Sequence, residues 1–252
     1  MNSNYLNIPV SLCYLSLQEN CISEFQLFCW LKTQCSGHFR LNNQLLFKCY
    51  NELDTTKPTV RKRLKWLLNN RWIGCNKKTG SYHINSFKVI HRRTEIETKT
   101  GIVWDGYNFN DFTSFVYAAI LLHISRCKHW YEKQKLKETG RDIANAGMKK
   151  GHSRKSTGFP SYPLPIKYAS KKLNKSESFI VRMKNAAKCT GFLSIKNSLK
   201  LFAKENTNLK LTRKHYPEAH KLVIRDNKIF EQLPDKFTFY IFSKKKGNLK
   251  HN

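Results

Sequence analysis

Carboxylates are scarce in this chain: 17 Asp plus Glu stand against 46 Lys plus Arg, a formal net charge of +29 over 252 residues. Metal-dependent nuclease chemistry needs clustered acids, and here they are scattered. No Gly-x-x-x-x-Gly-Lys-Ser/Thr loop is present, so ATP-driven opening of a duplex would have to come from a partner. None of the nine histidines forms a His-hydrophobe-His pair, which argues against a rolling-circle nickase. The eight cysteines (Cys13, Cys21, Cys29, Cys35, Cys49, Cys75, Cys127 and Cys189) include no Cys-x-x-Cys pair, and several stand among apolar residues. They read as buried free thiols of a reducing compartment. Cys127-Lys128-His129 is at most half a zinc site and reads as structural. There is no cationic start with an apolar core and a small-residue cleavage site, so secretion is not expected. The longest apolar run, Phe112 to Ile124, holds Ser114 and His123 and is too short for a bilayer. The expectations are a cytoplasmic protein without membrane segment, metal or cofactor, and no enzyme. Tyr and Arg are nevertheless plentiful, so a DNA strand-processing enzyme with residues far apart in sequence stays open.

With 40% hydrophobic and 13% aromatic residues the chain has enough apolar surface to bury real cores. The excess of cations points to a polyanionic partner. Nucleic acid is the first candidate and a membrane surface its competitor.

The most informative stretch runs from Asp54 to Phe87. Thr55 or Thr56 is placed to cap a helix, Pro58 suits its first turn, and Val60, Leu64, Leu67 and Leu68 form one apolar stripe. The opposite face is basic, with Lys57, Arg61, Lys62 and Lys65, and Thr56 and Thr59 add short polar groups near the start. Trp72 to Cys75 and Tyr82 to Asn85 then flank a Lys77-Lys78-Thr79-Gly80 turn, a hairpin signal with cations at its tip. Upstream, the spacing predicts a helix from a Ser23 cap through Leu27, Phe28 and Leu31, and a second from Asn42 to about Asn51. Ile8 to Val10 and Leu12 to Leu17 read as a short strand or extended lead-in. Phe87 to Ile90 reads as a further strand, followed by Arg92 and Arg93, and Thr100 to Asp105 as another.

Beyond residue 105 a helix is expected from Asn110 or Asp111 to about Lys137, its first half apolar all round and therefore buried centrally or part of a dimer interface. A basic, glycine-punctuated loop carries Lys149, Lys150, Arg154 and Lys155. Pro165 to Lys172 reads as a short helix. Ser176 caps the next one, with Ile180, Met183 and Ala187 inward, and a strand follows from Gly191. A shift of 120 residues lays Val60 on Ile180, Leu67 on Ala187 and Trp72 on Phe192. At a shift of 134, Val89 to Arg92 resembles Val223 to Asp226, as if a second wing were 14 residues longer. An internal duplication is the expectation, and the lysine-rich tail at Lys244 to Lys246 reads as a frayed end.

Two stretches, Thr56-x-x-Thr59-Val60-Arg61-x-x-Leu64-x-x-Leu67 before Trp72-Ile73, and Asn174-Lys175-Ser176-x-Ser178-x-Ile180-x-Arg182 before Gly191-Phe192, resemble winged-helix (helix-turn-helix) DNA-binding proteins. The tandem arrangement is similar to that of plasmid and phage replication initiators. The resemblance implies an α+β, mainly helical fold with two winged-helix domains in tandem. Residues 1–105 form the first, and 106–252 the second, with a basic loop at about 137–163 and an extended wing. It also implies sequence-specific binding of double-stranded DNA across adjacent turns, as replication initiator of a plasmid, phage or other mobile element. Homodimerisation and replication proteins such as a helicase are compatible with it. A transcriptional regulator of a mobile element and an RNA-binding protein are the alternatives. The expected DNA contacts are Thr56, Lys57, Thr59, Arg61, Lys62 and Lys65 on the first helix, matched by Lys175, Ser176, Ser178, Arg182 and Lys184. Phe179 belongs to the same matched stretch. Arg61 and Arg182 are the best candidates for bases, because the planar fork of Arg suits guanine. Lys77, Lys78, Arg92 and Arg93 would hold the backbone or minor groove, and the four loop cations would join them if the loop orders on DNA and is not only a solvated linker.

Overall fold

The computed structural model describes residues 5–92, 100–104, 108–138, 161–203, 222–225, 228–241 and 243–245. The fold is α+β, with small antiparallel sheets and helices holding the larger share. The chain divides into two compact units, Met1–His123 with Ile241–Asn252, and Ile124–Tyr240.

In the first unit β1 (Leu6–Pro9) runs into α1 (Val10–Gln18), then α2 (Ile22–Gln34), β2 (His38–Arg40), α3 (Asn43–Glu52) and α4 (Lys57–Asn69). β3 (Ile73–Asn76) and β4 (Ser81–Ile84) form a hairpin, followed by α5 (Phe87–His91), β5 (Thr100–Trp104) and the start of α6 (Phe112–Glu138). β2, β4 and β3 make one antiparallel sheet in that order. β1 and the late strand β10 (Ser243–Lys245) flank β5 in another. Aromatic side chains fill the centre. Trp72 meets Phe28 at 5.1 Å, Trp66 at 5.6 Å and Phe25 at 5.7 Å between ring centroids, all edge-on. Phe25 in turn meets Phe112 at 5.3 Å, and Trp104 meets Phe115 at 4.8 Å.

The second unit takes the rest of α6, β6 (Ser161–Pro163), α7 (Ile166–Leu173), α8 (Glu177–Cys189), β7 (Leu193–Ala203), β8 (Leu222–Arg225) and β9 (Lys228–Phe239). Its sheet runs β6-β9-β7, with β8 also on β9. Ile180, Met183 and Ala187 of α8 are fully buried, as are Phe237 and Phe239 of β9.

The two units share an internal plan: helix, strand, two helices, then a hairpin whose second strand lies between its first strand and the early strand. The match extends to single backbone angles 120 residues apart. Asp54 and Asn174 take positive φ (42° and 49°) before α4 and α8. Arg71 and Gly191 do so again (56° and 77°) between helix and strand. The Arg71 N–H donates to Leu68 O at 2.9 Å, and the Gly191 N–H to Lys188 O at 3.0 Å. The hairpins close alike, Asn85 N–H on Trp72 O at 3.1 Å and Tyr240 N–H on Phe192 O at 2.9 Å.

Several expectations are corrected. Leu12 to Leu17 is helical, within α1. Phe87 to Ile90 is the helix α5, because the Ser86 hydroxyl accepts the Val89 N–H and Phe87 and Ile90 turn inward together. The pairing of Val89 to Arg92 with Val223 to Asp226 therefore fails: β4 corresponds to β9, and β8 is an added strand. Ser243–Lys245 is paired to β5, so the tail begins as sheet. α2 starts at Ile22 with Cys21, not Ser23, at the cap position. The division falls inside α6, not at residue 105, because Phe112 and Phe115 pack on Phe25 and Trp104 of the first unit.

Two outcomes are expected from mutation. Trp72 is 3% exposed, and Trp72→Ala should cost about 3–5 kcal/mol in urea unfolding, as truncating a buried aromatic does. A Cβ at Gly191 would meet nothing within 4 Å, so Gly191→Ala should cost only the backbone penalty of a left-handed residue, ~1–2 kcal/mol. An unchanged stability would mean that the turn relaxes.

Candidate nucleic-acid interface

α4 is oriented by what it buries. Val60, Leu64 and Leu67 are buried, and Val60 and Leu64 line an apolar cleft with Leu27, Leu31 and Leu46 of α2 and α3. Leu68 is only half-buried. Polar pins fix the supporting helices: the Trp30 indole N–H donates to Glu52 Oε2 at 2.7 Å, and the Asn42 side chain accepts the Leu45 N–H at 2.7 Å. Arg63 is the cation of α4 that turns inward. Its Nη1 donates to Gln26 Oε1 at 3.4 Å, and burial lowers its pKa, with Glu24 opposing. Lys57, Arg61, Lys62 and Lys65 remain on the exposed side. Among the described residues no carboxylate pairs with any of them, so their field is left to counterions. Thr56 holds the cap position, but its hydroxyl meets that of the half-buried Thr59 at 3.0 Å instead of a backbone N–H.

The hairpin tip is built by Asn76, which accepts the Lys78 N–H on Oδ1 at 3.0 Å and the Gly80 N–H on its carbonyl at 2.9 Å. Gly80 takes φ 63° to close the turn. Lys77 and Lys78 are exposed there. Arg92 is exposed at the end of α5, which is anchored by Phe87 on Phe28 (5.8 Å) and by His91 Nδ1 to Ser11 Oγ (2.9 Å). Lys32 Nζ lies 4.9 Å from the Phe87 ring and 5.3 Å from the Phe28 ring. Burial lowers its pKa, and the ring faces offset part of that desolvation.

In α8 the Ser176 hydroxyl accepts the Phe179 N–H at 3.2 Å and meets the Ser178 hydroxyl at 2.9 Å, so Ser176 is a cap before it is a contact. Lys175 Nζ and the Arg182 guanidinium lie 5.9 and 5.5 Å from the Phe179 ring. Arg182 and Ser178 are exposed and Lys175 half-buried. Lys184 is corrected: its Nζ binds Asp235 Oδ2 at 3.3 Å, with side chains only 16% and 18% exposed, so it braces helix against sheet.

The predicted residues thus fall into two groups on different units. Arg93, Lys149, Lys150, Arg154 and Lys155 lie outside the described residues. Sequence reasoning passed over Val181 and Asn185, both exposed on α8. Carrying the 120-residue shift onto exposed positions as well as buried ones would have found them.

Burial pushes the thiols of Cys21 and Cys49 up to about 12, and those of Cys13 and Cys29 up as well, so these four stay protonated at neutral pH. Cys127 is exposed, and the His129 ring lies 5.3 Å from Tyr162. Among the described residues no three metal-ligating side chains cluster, and no helix is long and apolar enough to cross a membrane.

Lys184→Met should lower stability by about 1.5–3 kcal/mol, the range for a hydrogen bond to a charged group, while leaving affinity for duplex DNA unchanged. Thermal melts and fluorescence anisotropy separate the two effects. Comparison with family models, curated proteins and solved structures found no match to this chain.

Proposed function

We propose that this chain is a sequence-specific duplex-DNA-binding protein composed of two winged-helix modules, acting as the replication initiator of a plasmid, phage or other mobile element. The observation that carries the reading is the repeated plan. In each unit a helix turns its apolar stripe inward and leaves a polar or basic face outward, with antiparallel strands beside it. A helix so presented fits the major groove, and a two-stranded hairpin with cations at its tip suits the phosphates beside it. The net charge of +29 supplies the attraction that is independent of sequence.

The roles follow from side-chain chemistry. Lys57, Lys62 and Lys65 act as point charges on phosphates, as do Lys77 and Lys78 at the hairpin tip. Arg61 and Arg182 offer bidentate forks. Thr56 and Ser178 add short hydroxyl contacts at the starts of the two helices. No ATP-binding loop occurs in the sequence, so origin opening in this reading depends on a recruited helicase or on binding energy alone.

The test is selection from a random duplex pool with the full chain at about 150 mM salt, close to physiological ionic strength. A recovered sequence motif is the expected result. Its repetition at a replication origin supports the initiator role, and its confinement to a promoter makes the protein a regulator. Recovery of random sequence, or equal competition by RNA, would overturn the proposal. In parallel, replacing Lys57, Lys62, Lys77 and Lys78 by Ala should lower the salt slope of binding by roughly one unit for each phosphate no longer neutralised. An unchanged slope would remove these residues from the interface.

A further inference from the structure

The two outward helix faces are not chemically equivalent. Three exposed positions of α4, Arg61, Lys62 and Lys65, fall on Val181, Arg182 and Asn185 of α8 at the common shift of 120 residues. On α4 all three are cations. On α8 they are an aliphatic group, a cation and an amide. The first turns differ too, since α8 opens with Glu177 and α4 has no acid there. A carboxylate at that place repels phosphate, so α8 is the poorer helix for gripping a backbone.

The same three side chains match base edges. An exposed valine is costly in water and complements the thymine methyl, arginine takes guanine O6 and N7, and asparagine takes adenine N6 and N7. Val181 is 37% exposed, one of eight large apolar side chains at the described surface. Arg182 is also partly preorganised: its guanidinium rests 5.5 Å from the Phe179 ring, one turn back on the helix. Phe179 is half-buried, and its backbone N–H is fixed by the Ser176 cap. Holding the fork in place reduces the side-chain entropy lost on binding a base.

We propose that the two helices divide the work: α8 reads sequence through Val181, Arg182 and Asn185, on a step combining one G·C pair with A·T neighbours, while α4 grips phosphate. The inference rests on the duplex-DNA reading above. Val181 and Asn185 are specificity-determining residues, and Phe179 is a positioning residue for Arg182.

The experiment repeats the duplex selection with three full-length proteins: wild type, Arg182→Ala with Asn185→Ala, and Lys62→Ala with Lys65→Ala. All four positions are exposed, and matched thermal melts establish that the variants fold. The α8 variant should lose base preference at two or three adjacent pairs. It should bind the selected site ~10-fold or more weakly, with scrambled duplex affected far less, as removal of a bidentate pairing to a base does. The α4 variant should return the wild-type motif, weaken on selected and scrambled duplex alike, and show a salt slope lower by about two. A motif altered by the α4 variant, or left intact by the α8 variant, overturns the division. If wild type itself returns no motif, the duplex-DNA reading fails and the division falls with it. Phe179→Leu should cost selectivity at the guanine position alone, and an unchanged motif would remove its positioning role.

Discussion

The packing of Trp72 is the constraint on which the first unit turns. This residue sits at the start of the strand after α4, and its ring is held among Phe25, Phe28 and Trp66. It therefore ties the C-terminal end of α4 to α2 and to the hairpin at one point. Arg71 must take a left-handed φ of 56° immediately before it, a strain that an L-residue accepts only when the surrounding packing over-determines it. The second unit meets the same geometric demand with Phe192 and relieves the strain with Gly191. Two solutions to one backbone requirement, at one spacing, are better evidence of a shared plan than any side-chain identity between the halves.

The helices of that plan were legible because their signals are local. Periodic apolar residues and short polar caps located α2, α3, α4, α7 and α8 to within a residue or two, including Ser176 as a cap. What failed was non-local. Phe87 to Ile90 carries the aromatic and β-branched residues of a strand, yet the Ser86 cap and the Phe28 ring hold it as a helix turn. Such a short apolar run cannot be assigned by periodicity, and the same ambiguity hid α1. β10 pairs with a strand far earlier in the chain, and nothing in Ser243-Lys244-Lys245 announces it. A boundary inside α6 is invisible for a similar reason, since one uninterrupted helix serves two cores.

The candidate surface was readable to the same extent and with the same limit. Composition and the 3.6-residue period separate the outward cations of α4 from its buried stripe without any structure. They cannot tell which cation has found a distant partner. Arg63 and Lys184 are chemically ordinary members of two basic helices, but Gln26 and Asp235 engage them. Both partners are remote in sequence. A charge becomes available to a ligand only when folding leaves it unmatched, and matching depends on tertiary neighbours that composition does not record.

That distinction bears on how the repeated plan differs between the two units. Buried positions at the common shift remain apolar on both helices, Val60 with Ile180 and Leu67 with Ala187. Packing density leaves little freedom there, and the larger leucine against alanine implies a different depth of cover in each core. Leu64 shows the limit of the register. Its counterpart is Lys184, which keeps the position inward only because Asp235 neutralises its charge. Outward positions carry no such constraint, so their chemistry can change without cost to the fold. The contrast between Arg61-Lys62-Lys65 and Val181-Arg182-Asn185 is therefore one that packing neither requires nor forbids.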